Sequence, residues 1–363
     1  MAYVEIPPRL PFVYEASSAR VLFGSGTRGS VLEEASRLNI ARALILHGPA
    51  HVELSEAIAD QLGDRHAATF SGARMHTPTV VTNEALELVA QFGVDGIIAI
   101  GGGSTTGLAK AIALRTDLPQ IILPTTYAGS EMTPILGETQ DGVKTTIRNT
   151  KVLPETVIYD IDLTLDLPVG LSGVSGMNAV AHAVEALYAP DANPIIDALG
   201  LQSIRSLVRA LPTIRSDPGN RQARADALYG AWLAGICLGS VGMALHHKLC
   251  HTLGGTFDLP HAETHAIVLP HALAFNAPAI PDVIEKLAAT LDVKNVPIAL
   301  YEVNRQIGAP LGLRDLGMPE DGINHAVDLA LANPYKNPRA LTREGLQQLL
   351  ARAYKGDSPS AVH

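Results

Sequence analysis

The segment HHKLCHTLGGTFDLPHAETHAIVLPH, at residues 246–271, contains six of the chain's 13 histidines. His247 and His251 are four residues apart and would therefore share one face of a helix. His261 follows a short FDLP loop, from which it could turn back toward that face. Imidazoles bind transition metals and also exchange protons near neutral pH. The segment thus predicts a metal centre, an acid–base site, or a polar patch rich in histidine.

A second pair of polar residues lies upstream in SGMNAVAHAVEA. Asn178 and His182 are again four residues apart and would lie on one face of another helix. With His247 and His261, this helix would bring three imidazoles from two helices and a loop to a common place. Such a set could surround one cation.

Two loops have the composition of a phosphate-binding site. GGGSTTGLAK (101–110) joins an apolar strand to a helix that starts near Ser104, and PTTYAGSE (124–131) follows the next strand. Glycines let the backbone approach a ligand, and a helix start offers free N–H groups to a pyrophosphate. Both loops would lie at the carboxyl edge of the sheet, which predicts a dinucleotide site. The alternative is two capped turns, with Ser104 and Thr126 as N-caps. The candidate cofactor-binding residues are Gly101, Gly102, Gly103, Ser104, Thr125, Thr126 and Ser130.

The second predicted strand ends in LILHGP, which adds His47 and Gly48 to the candidate cofactor site. NAD-specific proteins often carry an acidic residue at this point for the ribose hydroxyls. Because the sequence places no carboxylate there to repel a 2′-phosphate, we expect both NADH and NADPH to be accepted.

The elements that must position these motifs fall into two groups. Strands are predicted by four apolar runs, at residues 41–48, 94–103, 120–126 and 155–163. Helical stretches separate the runs, which indicates a parallel sheet with right-handed crossovers. Beyond these runs the periodicity is helical throughout. We therefore predict an α/β nucleotide-binding domain at 1–164 and an all-α domain at 165–363 that carries the histidines.

The bulk composition is that of a globular protein, with 47% hydrophobic residues and a net charge of −9. This charge argues against partners such as nucleic acid or an anionic membrane. The first residues lack a secretion signal and two cysteines make no disulfide framework, so we expect a cytoplasmic protein. The uncharged stretch at 227–245 is long enough to span a bilayer, but it contains four glycines and runs into the histidines. We predict a buried helix of a soluble domain there.

The motifs GGGSTTGLAK, PTTYAGSE, SGMNAVAHAVEA and HHKLCHTLGGTFDLPH together resemble the iron-containing (group III) alcohol dehydrogenase superfamily, in the same order and over nearly the whole chain. The resemblance implies a nucleotide-binding α/β domain, a helical domain and a homodimer. It places the family's metal ligands, one Asp and three His, at Asn178, His182, His247 and His261. It places a non-ligand histidine near the substrate at His251.

Two residues depart from the family pattern. Asn178 stands where the resemblance implies an aspartate, and an amide is a much poorer ligand for Fe²⁺ or Zn²⁺ than a carboxylate. Gly107 stands where the family usually has Asp. The branch of the superfamily that has Asn at the first position implies NAD(P)H-dependent reduction of a C=C bond conjugated to a ketone. Its substrate would be a small dicarboxylate from the degradation of aromatic compounds, and no metal would be required.

We expect protonated imidazoles to take the place of the metal in that reaction. His251 is the candidate acid, and His182, His247 and His261, with Asn178, would line a hydrogen-bonding pocket. Lys336 or Arg339 would bind the substrate carboxylates. Three alternatives stay open: a metal-dependent alcohol or polyol dehydrogenase of the same superfamily, an NAD-dependent cyclase of related fold, and a nucleotide-binding protein that is not an enzyme.

Overall fold

The structure, a computed structural model, describes residues 11–16, 19–332 and 335–360. Its contacts divide the chain into two compact units. One unit is Ala16–Leu167. The other comprises the residues from Pro168 onward together with the described residues before Ala16. The chain thus passes from one unit to the other at Leu167–Pro168, beside the boundary proposed at 164/165.

The first unit is built on a parallel sheet. The strands of the described chain are β1 Arg20–Gly24, β2 Ala43–His47, β3 His66–Phe70, β4 Gly96–Gly101, β5 Gln120–Pro124, β6 Ile135–Gln140, β7 Val143–Arg148 and β8 Thr156–Asp160. Six of them form the sheet in the order β1-β8-β5-β4-β2-β3, and every adjacent pair is parallel. The four predicted strands are its inner strands, each buried over its whole length. The predicted α/β class of this unit is confirmed.

Four α-helices accompany the strands of this unit in the described residues: α1 Val31–Arg37, α2 Val52–Leu62, α3 Thr79–Phe92 and α4 Gly103–Thr116. Apolar side chains of α1 and α2 pack on one set of strand residues, and those of α3 and α4 pack on another. The inner strands read as continuous apolar runs because both of their faces are covered in this way.

A small antiparallel hairpin, β6–β7, was not predicted. Its two strands pair from Ile135↔Arg148 to Gln140↔Val143. Asp141 and Gly142 form the connection, with φ of 51° and 77°. Two successive positive φ values are the geometry of the two-residue turns that suit the twist of a hairpin.

The second unit is helical throughout its described residues, as predicted. Its α-helices are α5 Val169–Leu187, α6 Pro194–Ser216, α7 Arg221–Ser240, α8 Leu245–Phe257, α9 His261–Asn276, α10 Pro281–Leu291, α11 Val296–Ile307, α12 Gly322–Ala332 and α13 Arg343–Lys355. Leu249 and Leu253 of α8 pack into a core with residues of α9, α12 and α13. His247 and His251 are offset from them by two residues, so they lie on the opposite face of α8.

The prediction of a single helix through 227–245 is wrong. α7 ends at Ser240 and α8 begins at Leu245. The carboxylate of Asp191 accepts the N–H of Gly242 at 3.0 Å, which holds the chain in the break between the two helices. No single helix in the described part of the chain is long and apolar enough to cross a membrane. Only α7 and α8 taken together, bent by 95° at the break, reach that length and hydropathy.

Candidate active site

The predicted cofactor loops lie at one edge of the parallel sheet. Strands β2, β4 and β5 are adjacent, with His47 paired to Ile100 and Gly101 paired to Pro124. The N–H of Thr125 donates to the carbonyl of Gly101 at 3.1 Å, so the two loops also contact each other. This is the carboxyl edge, where ligands of doubly wound folds bind.

The glycine loop has the shape of a phosphate cradle. A Cβ at Gly101 would lie 2.5 Å from Thr105 Oγ1, and a Cβ at Gly102 would lie 2.8 Å from Thr126 Cγ2. A Cβ at Gly103 would meet no atom within 4 Å, so the space beside the start of α4 is open. No side chain caps α4, because its N-cap is Gly102 rather than the expected Ser104. Its first N–H groups are therefore suited to an anion such as pyrophosphate.

Three further side chains at this edge bear on a dinucleotide site. The hydroxyl of Ser130 is buried and has no hydrogen-bond partner in the described residues. His47 Nδ1 lies 2.8 Å from the carbonyl of Gly48. His51, which the sequence analysis missed, lies 3.1 Å from Thr125 Oγ1 through its Nε2. Burial lowers the pKa of His51, and the nearby His47 lowers it further, so this ring favours the neutral form.

Lys110, the last residue of the glycine motif, holds the second cofactor loop (PTTYAGSE, 124–131) and the residues that follow it through hydrogen bonds. Its Nζ donates to the carbonyls of Ser130 at 2.5 Å, Thr133 at 2.7 Å and Ile135 at 3.0 Å, and to Thr133 Oγ1 at 3.0 Å. Burial lowers the pKa of Lys110 to about 7, against the opposing effect of the Glu131 carboxylate. Lys110 is therefore a structural support of the loop that carries Ser130.

Gly107 is enclosed by the chain itself. A Cβ at this position would overlap the hydroxyl of Thr77. Thr77 has a positive φ of 47°, and its carbonyl accepts the N–H of Thr139 on β6. The Asp that the family resemblance implies at Gly107 would have to displace Thr77.

In the helical unit, the structure brings the predicted histidines together. We call this group the imidazole cluster; it comprises His182, His246, His247, His251, His261 and His265. Neighbouring rings have centroids between 4.3 and 6.1 Å apart. His182 comes from α5, the next three from α8 and the last two from the first turns of α9. Asn178 lies one turn before His182 on α5, and its Oδ1 is buried without a partner in the described residues.

Glu185 is the main site residue that the sequence analysis missed. It is fully buried on α5, and its Oε2 lies 2.5 Å from His247 Nδ1. On the other side of that ring, His247 Nε2 lies 2.8 Å from His182 Nδ1. Its signal was present in the sequence, since Glu185 is seven residues after Asn178 and three after His182. That spacing puts all three on one face of α5.

A second histidine pair lies beside the first. His246 Nε2 and His265 Nδ1 are 3.0 Å apart, and Cys250 Sγ lies 3.7 Å from His246 Nε2. Burial lowers the pKa of His246 and of His265 well below the ordinary value, and neighbouring imidazoles lower both further. These two rings are neutral at pH 7. They were part of the histidine-rich segment, but the sequence analysis assigned no role to them.

The ligand positions implied by the resemblance fit a dication poorly. One nitrogen of His182 and one of His247 are committed to the hydrogen bond between the rings. Asn178 offers a neutral oxygen where a carboxylate would supply negative charge.

Another set of donor atoms, on His246, Cys250 and His265, lies within 4.8 Å in the described residues. Burial raises the pKa of Cys250 well above its ordinary value, which keeps it a thiol. The outer nitrogens of the two histidines also lack a partner in the described chain, whereas metal-bound histidines almost always have one. His246, Cys250 and His265 are therefore no better suited to bind a metal tightly than the positions implied by the resemblance.

The two candidate cations for the substrate lie in the connector between α12 and α13. Lys336 lines a cavity of about 320 Å³ with Tyr188 and Pro281. The guanidinium of Arg339 donates to the carbonyl of Phe275 at 2.9 Å and lies over its ring. Asn337, between them, accepts the N–H of Leu245 at the start of α8 at 3.4 Å. The connector is thus tied to the helix that carries the cluster.

Comparisons with known proteins agree with this geometry. Residues 18–161 match the model of the iron-containing alcohol dehydrogenase family, and residues 173–354 match that of its C-terminal part. The chain is 52% identical over 350 residues to maleylacetate reductase of Sphingobium indicum, covering 96% of this chain and 99% of the relative. It is 50% identical over 348 residues to maleylacetate reductase 1 of Rhodococcus opacus, covering 96% and 98%.

Solved structures give the same picture. Maleylacetate reductase from a Rhizobium species superposes with a TM-score of 0.93 at 51% identity, covering 96% of this chain and 100% of that one. The 1,3-propanediol oxidoreductase structure has a TM-score of 0.87 at 26% identity, covering 94% and 100%. Sulfoacetaldehyde reductase from Bifidobacterium kashiwanohense, in complex with NAD⁺, shares the fold with a TM-score of 0.88 at 22% identity, covering 96% and 100%.

Proposed function

The chain belongs to the iron-containing alcohol dehydrogenase family, and from that premise we propose that it reduces the C=C bond of maleylacetate to give 3-oxoadipate. The observation that carries the proposal is its similarity, over nearly its whole length, to several maleylacetate reductases. The alcohol dehydrogenase alternative is supported by solved structures described as a putative alcohol dehydrogenase from Ralstonia eutropha, at 50% identity, and as an iron-containing alcohol dehydrogenase from Corynebacterium glutamicum, at 41% identity. The maleylacetate reductases, at 48–52% identity, name a specific substrate.

The reaction sets two demands on the protein. Maleylacetate carries two carboxylates and an alkene conjugated to a ketone, and NADH or NADPH, when bound, supplies a hydride to the alkene carbon β to the ketone. Negative charge then develops on the ketone oxygen, and the neighbouring carbon needs a proton. The protein must place hydrogen-bond donors at that oxygen and an acid at that carbon.

The imidazole cluster is suited to both demands. His182, His247 and His261 would stabilise the ketone oxygen when the cluster carries a proton, because protonated histidine donates hydrogen bonds and carries positive charge near neutral pH. His251 is the proposed acid, since it neighbours His247 without standing at a ligand position of the family. The buried Asn178 amide adds a neutral polar group beside them.

The cofactor would be held at the edge of the parallel sheet. Gly101, Gly102, Gly103 and Ser104 would face the pyrophosphate, and Thr125, Thr126 and Ser130 would complete the site with His47 and Gly48. The open space at Gly103 and the unpartnered hydroxyl of Ser130 support this assignment. We propose that both NADH and NADPH are used, because β2 ends in an imidazole and a glycine rather than a carboxylate.

We propose further that no metal is required. The reason is the chemistry of the donor set, in which an amide replaces the anionic ligand and two imidazoles are paired with each other.

The substrate carboxylates would bind Lys336 or Arg339. We also propose a cytoplasmic homodimer that acts in the degradation of aromatic compounds and binds neither nucleic acid nor membrane.

The test follows the absorbance of NADH with maleylacetate, and separately with simple aldehydes, in the presence of chelator or of added Fe²⁺ or Zn²⁺. We expect rapid oxidation of NADH by maleylacetate that the chelator does not change. Aldehyde reduction that depends on a stoichiometric metal would instead identify a metal-dependent alcohol or polyol dehydrogenase. Net consumption of NADH also excludes a cyclase that regenerates its own cofactor.

A further inference from the structure

The carboxylate of Glu185 anchors the start of α8. Oε1 accepts the N–H of His246 at 2.8 Å, and Oε2 accepts the N–H groups of Ala244 at 3.1 Å and His247 at 3.3 Å. These are N–H groups that a helix start leaves without partners, and negative charge is favourable there. Both carboxylate oxygens therefore act as acceptors.

The same carboxylate determines which nitrogen of His247 carries a proton. Oε2 already accepts two backbone N–H groups and lies 2.5 Å from His247 Nδ1. An oxygen that accepts hydrogen bonds requires a donor, so Nδ1 of His247 must be protonated. In the neutral ring, Nε2 of His247 is then an acceptor.

The direction of the next hydrogen bond follows from the first. Nε2 of His247 lies 2.8 Å from Nδ1 of His182, so His182 must donate through Nδ1. The neutral His182 ring then has a lone pair on Nε2. Two hydrogen bonds thus run in one direction, from His182 through His247 to Glu185.

We propose that Glu185 is a positioning residue: it fixes the tautomer and ring orientation of His247, and through His247 those of His182. The inference rests on the proposed function, since it specifies how two of the substrate-facing imidazoles are presented. Because the neutral His182 offers an acceptor at Nε2, the proton for the substrate carbon must come from another group, which agrees with His251 as the acid.

The first test needs only the wild-type protein. Histidine rings labelled with nitrogen-15 report by NMR which ring nitrogen is protonated, and spectra of His182→Gln and His247→Gln assign the signals. At about pH 8, above the ordinary pKa of histidine, we expect the proton of both rings on Nδ1. A proton on Nε2 of either ring overturns the proposal. The spectra need no substrate, so this result is independent of whether maleylacetate is reduced.

The second test is Glu185→Gln. The amide NH₂ would face the N–H of His246 in one orientation of the side chain, and the N–H groups of Ala244 and His247 in the other, so the network loses hydrogen bonds in either case. A neutral amide oxygen also holds the proton on Nδ1 of His247 less firmly than a carboxylate does. We expect the Nε2-protonated tautomers of both rings to appear in the NMR spectrum and kcat to fall by about 100-fold, with the KM for NADH unchanged. Glu185→Asp, which keeps the charge, should retain Nδ1 protonation and recover part of kcat.

Asp197→Asn is the matched control. Asp197 is another buried carboxylate of the helical unit, paired with Lys286 at 2.8 Å, and its loss should lower stability but leave kcat and the histidine tautomers unchanged. Wild-type kcat in a folded Glu185→Gln protein would overturn the proposal. If that variant does not fold, the wild-type spectrum still decides.

Discussion

Replacing Lys110 with Met removes a buried donor that makes four hydrogen bonds to Ser130, Thr133 and Ile135, at little cost in side-chain volume. Three carbonyl oxygens, those of Ser130, Thr133 and Ile135, lose a hydrogen bond from Nζ. They lie on the segment that begins with the proposed cofactor residues Thr125 and Thr126. The variant should therefore affect both stability and cofactor binding.

The size of the loss can be worked from these contacts. Leaving a buried acceptor unsatisfied costs about 1–3 kcal/mol. Two carbonyls, those of Thr133 and Ile135, are affected in this way, because the carbonyl of Ser130 still accepts the N–H and the hydroxyl of Thr133. Part of the loss is offset, because the folded variant no longer buries an amine and the loop can admit water. We expect the free energy of unfolding to fall by about 2–4 kcal/mol, which is large for a single substitution.

The pH dependence gives a second signature. The pKa of Lys110 in the folded protein is about 7, below its ordinary value of 10.5, so the unfolded chain binds more protons between these values. Stability from this group therefore rises with pH in that window. Between about pH 7 and pH 9 the wild type should gain about 2 kcal/mol relative to Lys110→Met.

The assay is urea unfolding at several pH values, with the KM for NADH measured under folded conditions. Lys151→Met is the control, because Lys151 is a half-exposed lysine of the same unit whose partner, Asp117, is exposed. It should change stability by less than about 0.5 kcal/mol. If Lys110→Met unfolds at the wild-type urea concentration and keeps the wild-type KM, the supporting role assigned to Lys110 is wrong.

Three further substitutions test other parts of the molecule. His251→Ala should lower kcat by about 10²-fold or more and leave NADH binding intact. The control is His325→Ala, because His325 is an exposed histidine of the same unit, and this variant should change neither quantity. If kcat is the same in both variants, His251 has no part in the mechanism. Asn178→Asp supplies an anionic ligand and should raise the affinity for Zn²⁺ by about 10-fold or more. Metal analysis after dialysis measures this change. An unchanged metal content would contradict the argument that the amide makes this site a poor one for a dication. His271 is buried, and burial lowers its pKa to about 4. The unfolded chain therefore binds more protons than the folded protein between pH 4 and pH 6.5. Acidification through this range should lower the free energy of unfolding by about 3 kcal/mol. His271→Leu should abolish that loss in acid unfolding curves.

The inner strands of the sheet could be predicted because burial on both faces demands apolar side chains at every position. β4, GIIAIG, shows no polar alternation at all. The edge strands β1 and β3 lack such a run, because they are only partly buried. In the hairpin, β7 is exposed and β6 only partly buried, so these strands carry little apolar pattern. Its turn residues, Asp141 and Gly142, were nevertheless a readable signal.

The site could be predicted where residue type alone indicated chemistry. The histidines were conspicuous by number, and their spacing correctly put His182 and His247 on facing helices. Glu185 was missed because its spacing shows only that it shares a face of α5 with Asn178 and His182, and not which side chain it contacts. Its importance arises from a contact with His247, 62 residues away in the chain. His51 was missed for the same reason, since its contact with Thr125 depends on the pairing order of the strands.

The close fit between Gly107 and Thr77 has a consequence for how this chain could diverge. An acidic residue at 107 meets the Thr77 hydroxyl, and Thr77 in turn supports the hairpin through Thr139. An acidic substitution at 107 alone is therefore not a neutral step. Conversion between the glycine form and an aspartate form requires paired changes, so the two positions should vary together among descendants of this sequence. A library that randomises both codons should recover functional acidic variants only when residue 77 is also replaced.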